Sequence, residues 1–88
     1  MAWTIEYTES ARGQLRKLDK QSARRIVTYL KERVAPLEDA RTAGKALRGP
    51  LGVFWRYRVG EFRIICELSD KSFRALLVRI GNRKDIYR

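Results

Sequence analysis

The stretch that decides the fold reads VFWRYRVGEFRIICEL, from Val53 to Leu68. β-Branched and aromatic residues predominate on both sides of a central Gly60-Glu61 pair, with two arginines before the pair and one after it. That pattern predicts two antiparallel strands, about 53–59 and 62–68, joined by a two-residue turn. Glycine at the first central position and a different residue at the second indicate a type II′ turn.

This turn fixes the register of the predicted hairpin. It places Arg58 opposite Arg63, and Tyr57 opposite Ile64. Because side chains alternate across a strand, one face then receives the large apolar residues. Those residues are Val53, Trp55, Tyr57, Val59, Phe62, Ile64, Cys66 and Leu68. The other face receives Arg56, Arg58 and Arg63, and we expect the apolar face to meet helices.

The flanking sequence supplies the helices and further strands. Residues 3–7 alternate like a short strand, and Thr8 or Ser10 can cap a helix whose apolar face includes Ala11 and Leu15. Asp19 can cap a second helix that Pro36 ends. Residues 37–52 are predicted to be a loop, and 72–80 a last strand before the charged tail 81–88. The order predicts one α+β domain, 1–88, with an antiparallel helix hairpin on a small, mostly antiparallel sheet.

The charge of the chain is strongly basic and unevenly placed. Its 88 residues carry 20 Lys and Arg against 10 Asp and Glu, a net charge of +10. Residues 1–44 hold nine basic and six acidic side chains, and residues 45–88 hold eleven and four. The net charge of the second half is therefore +7 against +3 for the first, which predicts a polyanionic partner. Basic residues on the helices either contact that polyanion or keep the surface hydrated.

Other classes of protein are disfavoured by what the chain contains. There is no histidine, the carboxylates are scattered, and we expect neither a metal site nor a cofactor. The lone Cys66 cannot form an internal disulfide, which is typical of a reducing compartment. With no apolar run long enough to cross a membrane and no signal-like start, the sequence predicts a cytoplasmic protein without a membrane partner.

The three hairpin arginines are the candidate phosphate-binding residues. Arg58 directly opposite Arg63 is a repulsive pair on a sheet, whereas a phosphate between the two guanidinium groups would make it attractive. Arg83 and Tyr87 follow the last strand closely enough to fold back over the sheet. Positive charge beside Tyr87 would lower the pKa of its phenol from about 10 and suit it to act as a general base. The non-catalytic alternatives are that the arginines only form a hydrated basic face and that Tyr87 only packs against the sheet or an antitoxin.

The chemistry that suits arginines without histidine or metal is RNA cleavage. RNA carries its own nucleophile, the 2′-hydroxyl next to each phosphodiester. A protein then has to hold the backbone, stabilise the charge on the pentavalent phosphorus and move a proton.

Two segments resemble the RelE/ParE superfamily of bacterial toxins. They are KALRGPLGVFWRYRVGEFRIIC, residues 45–66, and VRIGNRKDIYR, residues 78–88, and the second resembles the RelE branch most. The resemblance implies a microbial RNase-like fold, a toxin of a type II toxin–antitoxin system, and cleavage of mRNA in the ribosomal A site. It also implies a RelB-like cognate antitoxin, with toxin and antitoxin forming a hetero-oligomer.

The resemblance also assigns roles by position. The catalytic residues it implies are Arg56, Arg58, Arg63, Arg83 and Tyr87. The RNA-binding residues are the same three hairpin arginines with Lys84 and Arg88. RelE toxins carry basic residues where Arg56 and Arg58 stand, and in one well-known member both are lysines. Because arginine does not release a proton readily, the role of base moves to Tyr87. Many relatives have a histidine where this chain has Asn82, which leaves the general acid unassigned. Two alternatives remain open: a ParE-type toxin that poisons DNA gyrase, and a non-catalytic module that binds RNA or the ribosome.

Overall fold

The order of elements follows the predicted strand–helix–helix–strand plan with one addition. The structure, a computed structural model, describes residues 2–47 and 54–82. Strand β1 (Thr4–Tyr7) leads to helices α1 (Glu9–Lys17) and α2 (Lys20–Tyr29), and a π-helical turn (Leu30–Val34) extends α2. After a 3₁₀ turn (Ala40–Ala43) come the four strands β2 (Lys45–Ala46), β3 (Phe54–Val59), β4 (Phe62–Ser69) and β5 (Arg74–Asn82).

The prediction that residues 37–52 are a simple loop is wrong where the structure describes them. Lys45 and Ala46 form a two-residue edge strand whose partners in β3 are Arg56 and Trp55. The Tyr57 hydroxyl donates a hydrogen bond of 2.7 Å to the carbonyl of Ala40, which ties the 3₁₀ turn to β3. Since this segment lacks the alternating pattern of a strand, its backbone pairing depends on contacts that are distant in sequence.

Both helices begin at predicted capping residues. The Thr8 hydroxyl accepts a hydrogen bond from the Ala11 N–H, and the Asp19 carboxylate accepts one from the Ser22 N–H, each 3.0 Å long. Such caps satisfy backbone N–H groups that have no partner within the helix. The short Leu18-Asp19 join then separates two helices that pack on one face of the sheet.

The sheet has five strands in the order β1-β5-β4-β3-β2. Only the β1–β5 pair is parallel, so the sheet is mostly antiparallel as predicted. The hairpin register is also as predicted, with Arg58 opposite Arg63 and Tyr57 opposite Ile64. Gly60 has a φ of 59°, the left-handed value that the first position of a type II′ turn requires.

The core lies between the helices and one face of the sheet. Ile26, Leu30 and Val34 from the α2 segment pack against the predicted apolar face of the hairpin, including Tyr57 and Ile64. All five are at most 1% exposed. We call the opposite face, which carries Arg56, Arg58, Arg63 and Ile65, the open face. The predicted placement of the listed apolar residues on one face and of the three arginines on the other is confirmed for the described residues, and the buried Ile65 lies among the arginines.

A hydrogen-bonded glutamine fixes α1 to the far end of β5. The Gln14 side chain accepts a hydrogen bond of 2.8 Å from the Ile80 N–H and donates one to the Ile80 carbonyl. Strand β1 pairs with β5 from Arg74 to Leu77, so within residues 2–47 and 54–82 no strand lies beside this edge at Ile80. Gln14 therefore takes the place of a neighbouring strand just before the C-terminal tail.

No helix within the described ranges is long and apolar enough to cross a membrane.

Candidate active site

The site begins with the direct pairing of Arg58 and Arg63 across the β3–β4 turn. Val59 and Phe62 flank the two-residue turn, so the next pair is of the non-hydrogen-bonded kind, with Cα atoms about 4.5 Å apart. The two side chains differ in exposure, because Arg63 is only 9% exposed whereas Arg58 is exposed. The Cα partner of Arg63 on β5 is Gly81, which offers no side chain to fill the space beside it.

A cavity of about 310 Å³ brings the hairpin arginines together with the short edge strand. Arg56, Arg58 and Arg63 line one side, and we call these three the arginine cluster. Residues of the Thr42–Lys45 segment line the other side, and Lys45 stands directly opposite Arg56. The cavity therefore places four cationic side chains around one concave space, a geometry suited to an anion such as a phosphate.

Lys45 is the residue of this cavity that the sequence reasoning missed. Its segment was interpreted as a loop, and nothing in its local pattern reveals that it pairs with β3. The available signal was the basic character of Lys45 just before the hairpin.

The segment that carries Lys45 is held in place by Arg41. Its guanidinium donates two hydrogen bonds to the Asp70 carboxylate, 2.8 and 2.6 Å long, and a third of 3.2 Å to Asp39. It also lies over the Trp55 ring, 5.7 Å from the ring centre. These contacts lower the pKa of the Asp70 carboxyl below its ordinary value, chiefly through the hydrogen bonds from Arg41. Arg41 thus links the 3₁₀ turn to the β4–β5 turn and to β3.

The close approach of this segment to β3 depends on Gly44. A Cβ atom at position 44 would lie 2.8 Å from both the Arg56 carbonyl oxygen and a carbon of the Tyr57 ring. No side chain fits there without displacing backbone. Glycine at this position lets the chain pass against β3 immediately before Lys45.

A bulge in β5 adds one more cation to the open face. Ile65 pairs with Arg79 and Cys66 with Leu77, so Val78 is the extra residue. Strict alternation would put Arg79 on the same face as the fully buried Leu77, whereas the bulge puts it on the face of Ile65. A hydrophobic pattern does not reveal a bulge, so the sequence alone does not predict that Arg79 lies on this face.

The buried groups near the site are structural. Burial raises the pKa of the Cys66 thiol to about 12 and raises the pKa of the Tyr57 phenol well above 10. Both groups therefore stay protonated and neutral at physiological pH, and neither supplies a nucleophile or a base. Trp55 is half-buried on the helix-facing side, as predicted.

Arg83, Lys84, Tyr87 and Arg88 lie outside the described residues, so their predicted places beside the arginine cluster stay predictions. Among the residues that the structure does describe, no three His, Cys, Asp or Glu side chains gather as ligands for a metal ion.

Comparison with known proteins identifies the family. Residues 5–87 match the model of the ParE toxin of type II toxin–antitoxin systems. The chain belongs to this toxin family, within the RelE/ParE superfamily. It is 27% identical to Toxin RelG of Mycobacterium tuberculosis, over 100% of this chain and 99% of that protein.

Solved toxin structures share the fold. The toxin–antitoxin complex RelBE2 from Mycobacterium tuberculosis contains a chain that superposes with a TM-score of 0.83 at 23% identity, over 94% of this chain and 100% of that one. A mutant of the E. coli toxin RelE, bound to a peptide of its antitoxin, superposes with a TM-score of 0.72 at 24% identity. That match covers 93% of this chain and 84% of the RelE chain. The fold predicted for this type II toxin is therefore confirmed.

Proposed function

We propose that this toxin is a ribosome-dependent endoribonuclease that cleaves mRNA in the A site and so stops translation. The observation that carries the proposal is the cavity in which Arg56, Arg58, Arg63 and Lys45 converge. Cations that face one another on a sheet oppose folding, so their convergence in a concave site is best explained by a bound anion. The phosphodiester of an RNA strand has the required charge.

The proposed chemistry uses the RNA's own 2′-hydroxyl as the nucleophile. Its oxygen attacks the adjacent phosphorus as Tyr87, in its phenolate form, takes the proton, and the bond from phosphorus to the 5′-oxygen breaks. The products are a 2′,3′-cyclic phosphate and a 5′-hydroxyl whose proton comes from solvent. The arginine cluster holds the phosphate and stabilises the charge that develops on its oxygens, and Arg83 stabilises the leaving oxygen. Lys84 and Arg88 bind the flanking RNA, and no metal takes part.

We propose that the ribosome, and not the toxin alone, holds the RNA in the conformation that cleavage requires. The sequence offers no histidine to pair with Tyr87 as acid and base. In-line cleavage requires the 2′-oxygen, the phosphorus and the 5′-oxygen to be aligned, and an mRNA held in the A site can be bent into that arrangement. We therefore expect naked RNA to be cut slowly or not at all.

Mapping of RNA ends tests the proposal. The purified chain is added to translating ribosomes, and primer extension on the messenger should show new 5′ ends within the A-site codon. The Arg63→Met variant, which keeps a side chain of similar length, serves as the inactive control. Rapid cutting of naked RNA at the same enzyme concentration, or binding to ribosomes without any cut, would contradict the proposal.

A second candidate function is poisoning of DNA gyrase, which the match to the ParE toxin model favours. A gyrase poison has no need of the cation-lined cavity for catalysis. Incubation with gyrase and supercoiled DNA should give covalent gyrase–DNA adducts if this candidate is correct. We expect no adducts, together with A-site cuts in the parallel assay.

A RelB-like antitoxin is the proposed partner of this chain in the cytoplasm. The structural relatives include toxin–antitoxin complexes, and a net charge of +10 calls for an acidic or amphipathic segment. We propose that this segment covers the open face or displaces the C-terminal tail in a hetero-oligomer. Expression of the chain alone should arrest bacterial growth, and expression of Arg63→Met should not. Normal growth at high expression of the unchanged chain would count against a toxin that acts on translation.

A further inference from the structure

A second and larger cavity lies on the other side of Arg58. It occupies about 640 Å³ between α2 and the turn that joins β3 to β4. Its lining includes Arg24, Arg25, Tyr29 and Arg33 from the α2 segment and Arg58 from β3. We call this cavity the α2 groove.

Arg58 connects the α2 groove to the cavity of the arginine cluster, because it lines both. Strand β2 pairs with β3 at Trp55 and Arg56, and none of the described strands lies beside the edge of β3 at Arg58. The Arg58 side chain is exposed and accessible from both cavities. Arg58 is therefore placed to contact a phosphate in either cavity.

The α2 groove carries an excess of positive charge. Four arginines line it against one carboxylate, that of Glu32. The ion pairs within the described part of the chain involve none of the four. Arg25 lies over the turn itself, since a Cβ atom at Gly60 would come within 3.3 Å of its guanidinium. Like charges gathered in a concavity raise the local positive potential and attract an extended anion.

An aromatic ring in the α2 groove favours a nucleic acid over an acidic peptide. Tyr29 lines the groove, is half-buried, and has its ring centre 6.4 Å from that of Tyr57. Burial raises the pKa of the Tyr29 phenol, so the ring stays neutral. Single-stranded nucleic acids bind where basic side chains hold phosphates and an aromatic ring stacks on a base.

We propose that the α2 groove is a second RNA-binding site, which holds unpaired RNA next to the strand bound at the arginine cluster. The inference rests on the proposed function for the nature of the ligand. That RNA is either the messenger beyond the cleaved phosphate or a segment of ribosomal RNA, because both present the same phosphates and bases.

Binding of non-cleavable RNA to the full chain tests the proposal. The probes are single-stranded 2′-O-methyl RNAs of four and ten nucleotides. Their binding to the protein is measured by fluorescence anisotropy at low salt. The groove variant is Arg24→Gln/Arg25→Gln/Arg33→Gln. The control is Arg12→Gln/Arg16→Gln/Lys31→Gln, which removes the same charge from exposed positions that do not line the groove. Glutamine has a helix propensity close to that of arginine, so both triple variants should fold, and thermal unfolding checks this.

We expect the unchanged chain and the control to bind the ten-nucleotide RNA about 10-fold more tightly than the four-nucleotide RNA. The groove variant should lose most of that gain and keep its affinity for the shorter RNA within about 2-fold. The slope of log affinity against log salt for the longer RNA should fall by about 2, from three lost phosphate contacts at about 0.7 each.

Two further measurements are sedimentation with ribosomes and binding of a decaglutamate peptide. The first distinguishes ribosomal RNA from messenger RNA, and the second tests whether the groove binds an acidic peptide instead. The unchanged chain could bind the two RNA lengths with equal affinity while a smaller fraction of the groove variant than of the control sediments with ribosomes. In that case the groove binds ribosomal RNA. If the groove variant matches the control in both assays, or loses affinity only for a decaglutamate peptide, the proposal is wrong. None of these assays requires cleavage, so an inactive toxin would refute the proposed function and leave the test of the groove intact.

Discussion

Arg58 and Arg63 stand directly opposite each other across the β3–β4 turn, and they share a cavity with Lys45. Arg58 is exposed, and the stem of Arg63 is buried in the sheet. The pair therefore combines a buried arginine with an exposed one that solvent and ligands can reach.

Replacing Arg63 should separate its role in catalysis from its role in folding. Arg63→Met keeps the buried stem and removes the charge, so we expect the cleavage rate to fall about 10²- to 10³-fold, the usual effect of losing one preorganised donor. The melting temperature should stay the same or rise, because repulsion from Arg58 is relieved. Single-turnover cleavage and thermal unfolding measure the two effects. Full activity in Arg63→Met would remove the pair from the site.

Lys45 should contribute to RNA binding through one phosphate contact. Lys45→Gln is expected to lower the slope of log affinity against log salt by about 0.7 for single-stranded RNA. Lys71→Gln is the matched control, because Lys71 is exposed in the β4–β5 turn away from the cavity. Equal slopes for the two variants would show that Lys45 does not contact the RNA.

The Tyr57 hydroxyl should stabilise the segment that carries Lys45. Tyr57→Phe removes its buried hydrogen bond to the Ala40 carbonyl and leaves that oxygen without this donor. We expect the free energy of unfolding to fall by about 1–3 kcal/mol. Denaturant unfolding measures this loss. Tyr29→Phe is the control, because this hydroxyl makes no hydrogen bond like that of Tyr57 to Ala40 among the described residues. A Tyr57→Phe protein as stable as the unchanged chain would mean that the bond makes no net contribution.

The Arg41–Asp70 ion pair should make stability depend on acid pH. The pKa of Asp70 is lower in the folded chain than its ordinary value of 3.8, so folding favours the ionised carboxylate. Its contribution is complete above 3.8 and is lost as the pH falls through the lower folded value. Asp70→Asn should therefore be less stable than the unchanged chain at pH 7, and the difference should shrink below pH 3.8. Urea unfolding across this range measures it, and a constant difference would contradict the assignment.

Tyr87 should act as the general base. Tyr87→Phe keeps the ring and removes the oxygen, so ribosome binding should survive while single-turnover cleavage slows by about 10²- to 10⁴-fold. The rate of the unchanged chain should rise with pH through one ionisation below about 10, because the arginines proposed to lie beside Tyr87 would favour the phenolate. Cleavage by Tyr87→Phe within a few-fold of the original rate would exclude this role.

The hairpin was predictable from the sequence because all its determinants are local. A glycine at the turn sets the register, and the register sets which side chains share a face, so Arg58 opposite Arg63 follows from residues 53–68 alone. The helix caps at Thr8 and Asp19 are local in the same sense. The sequence of the hairpin is therefore enough to place Arg56, Arg58 and Arg63 on one face.

Only the tertiary structure decided which other residues join that cluster. Lys45 reaches the cavity because Arg41 contacts Asp70, Tyr57 bonds to Ala40 and Gly44 allows close approach, and each of these contacts links positions far apart in sequence. Arg79 reaches the open face through a bulge, and the α2 groove forms because a helix lies beside a turn more than twenty-five residues later. Residue pattern encodes the period of a strand, but packing between distant segments depends on shapes and contacts that no single stretch of sequence contains.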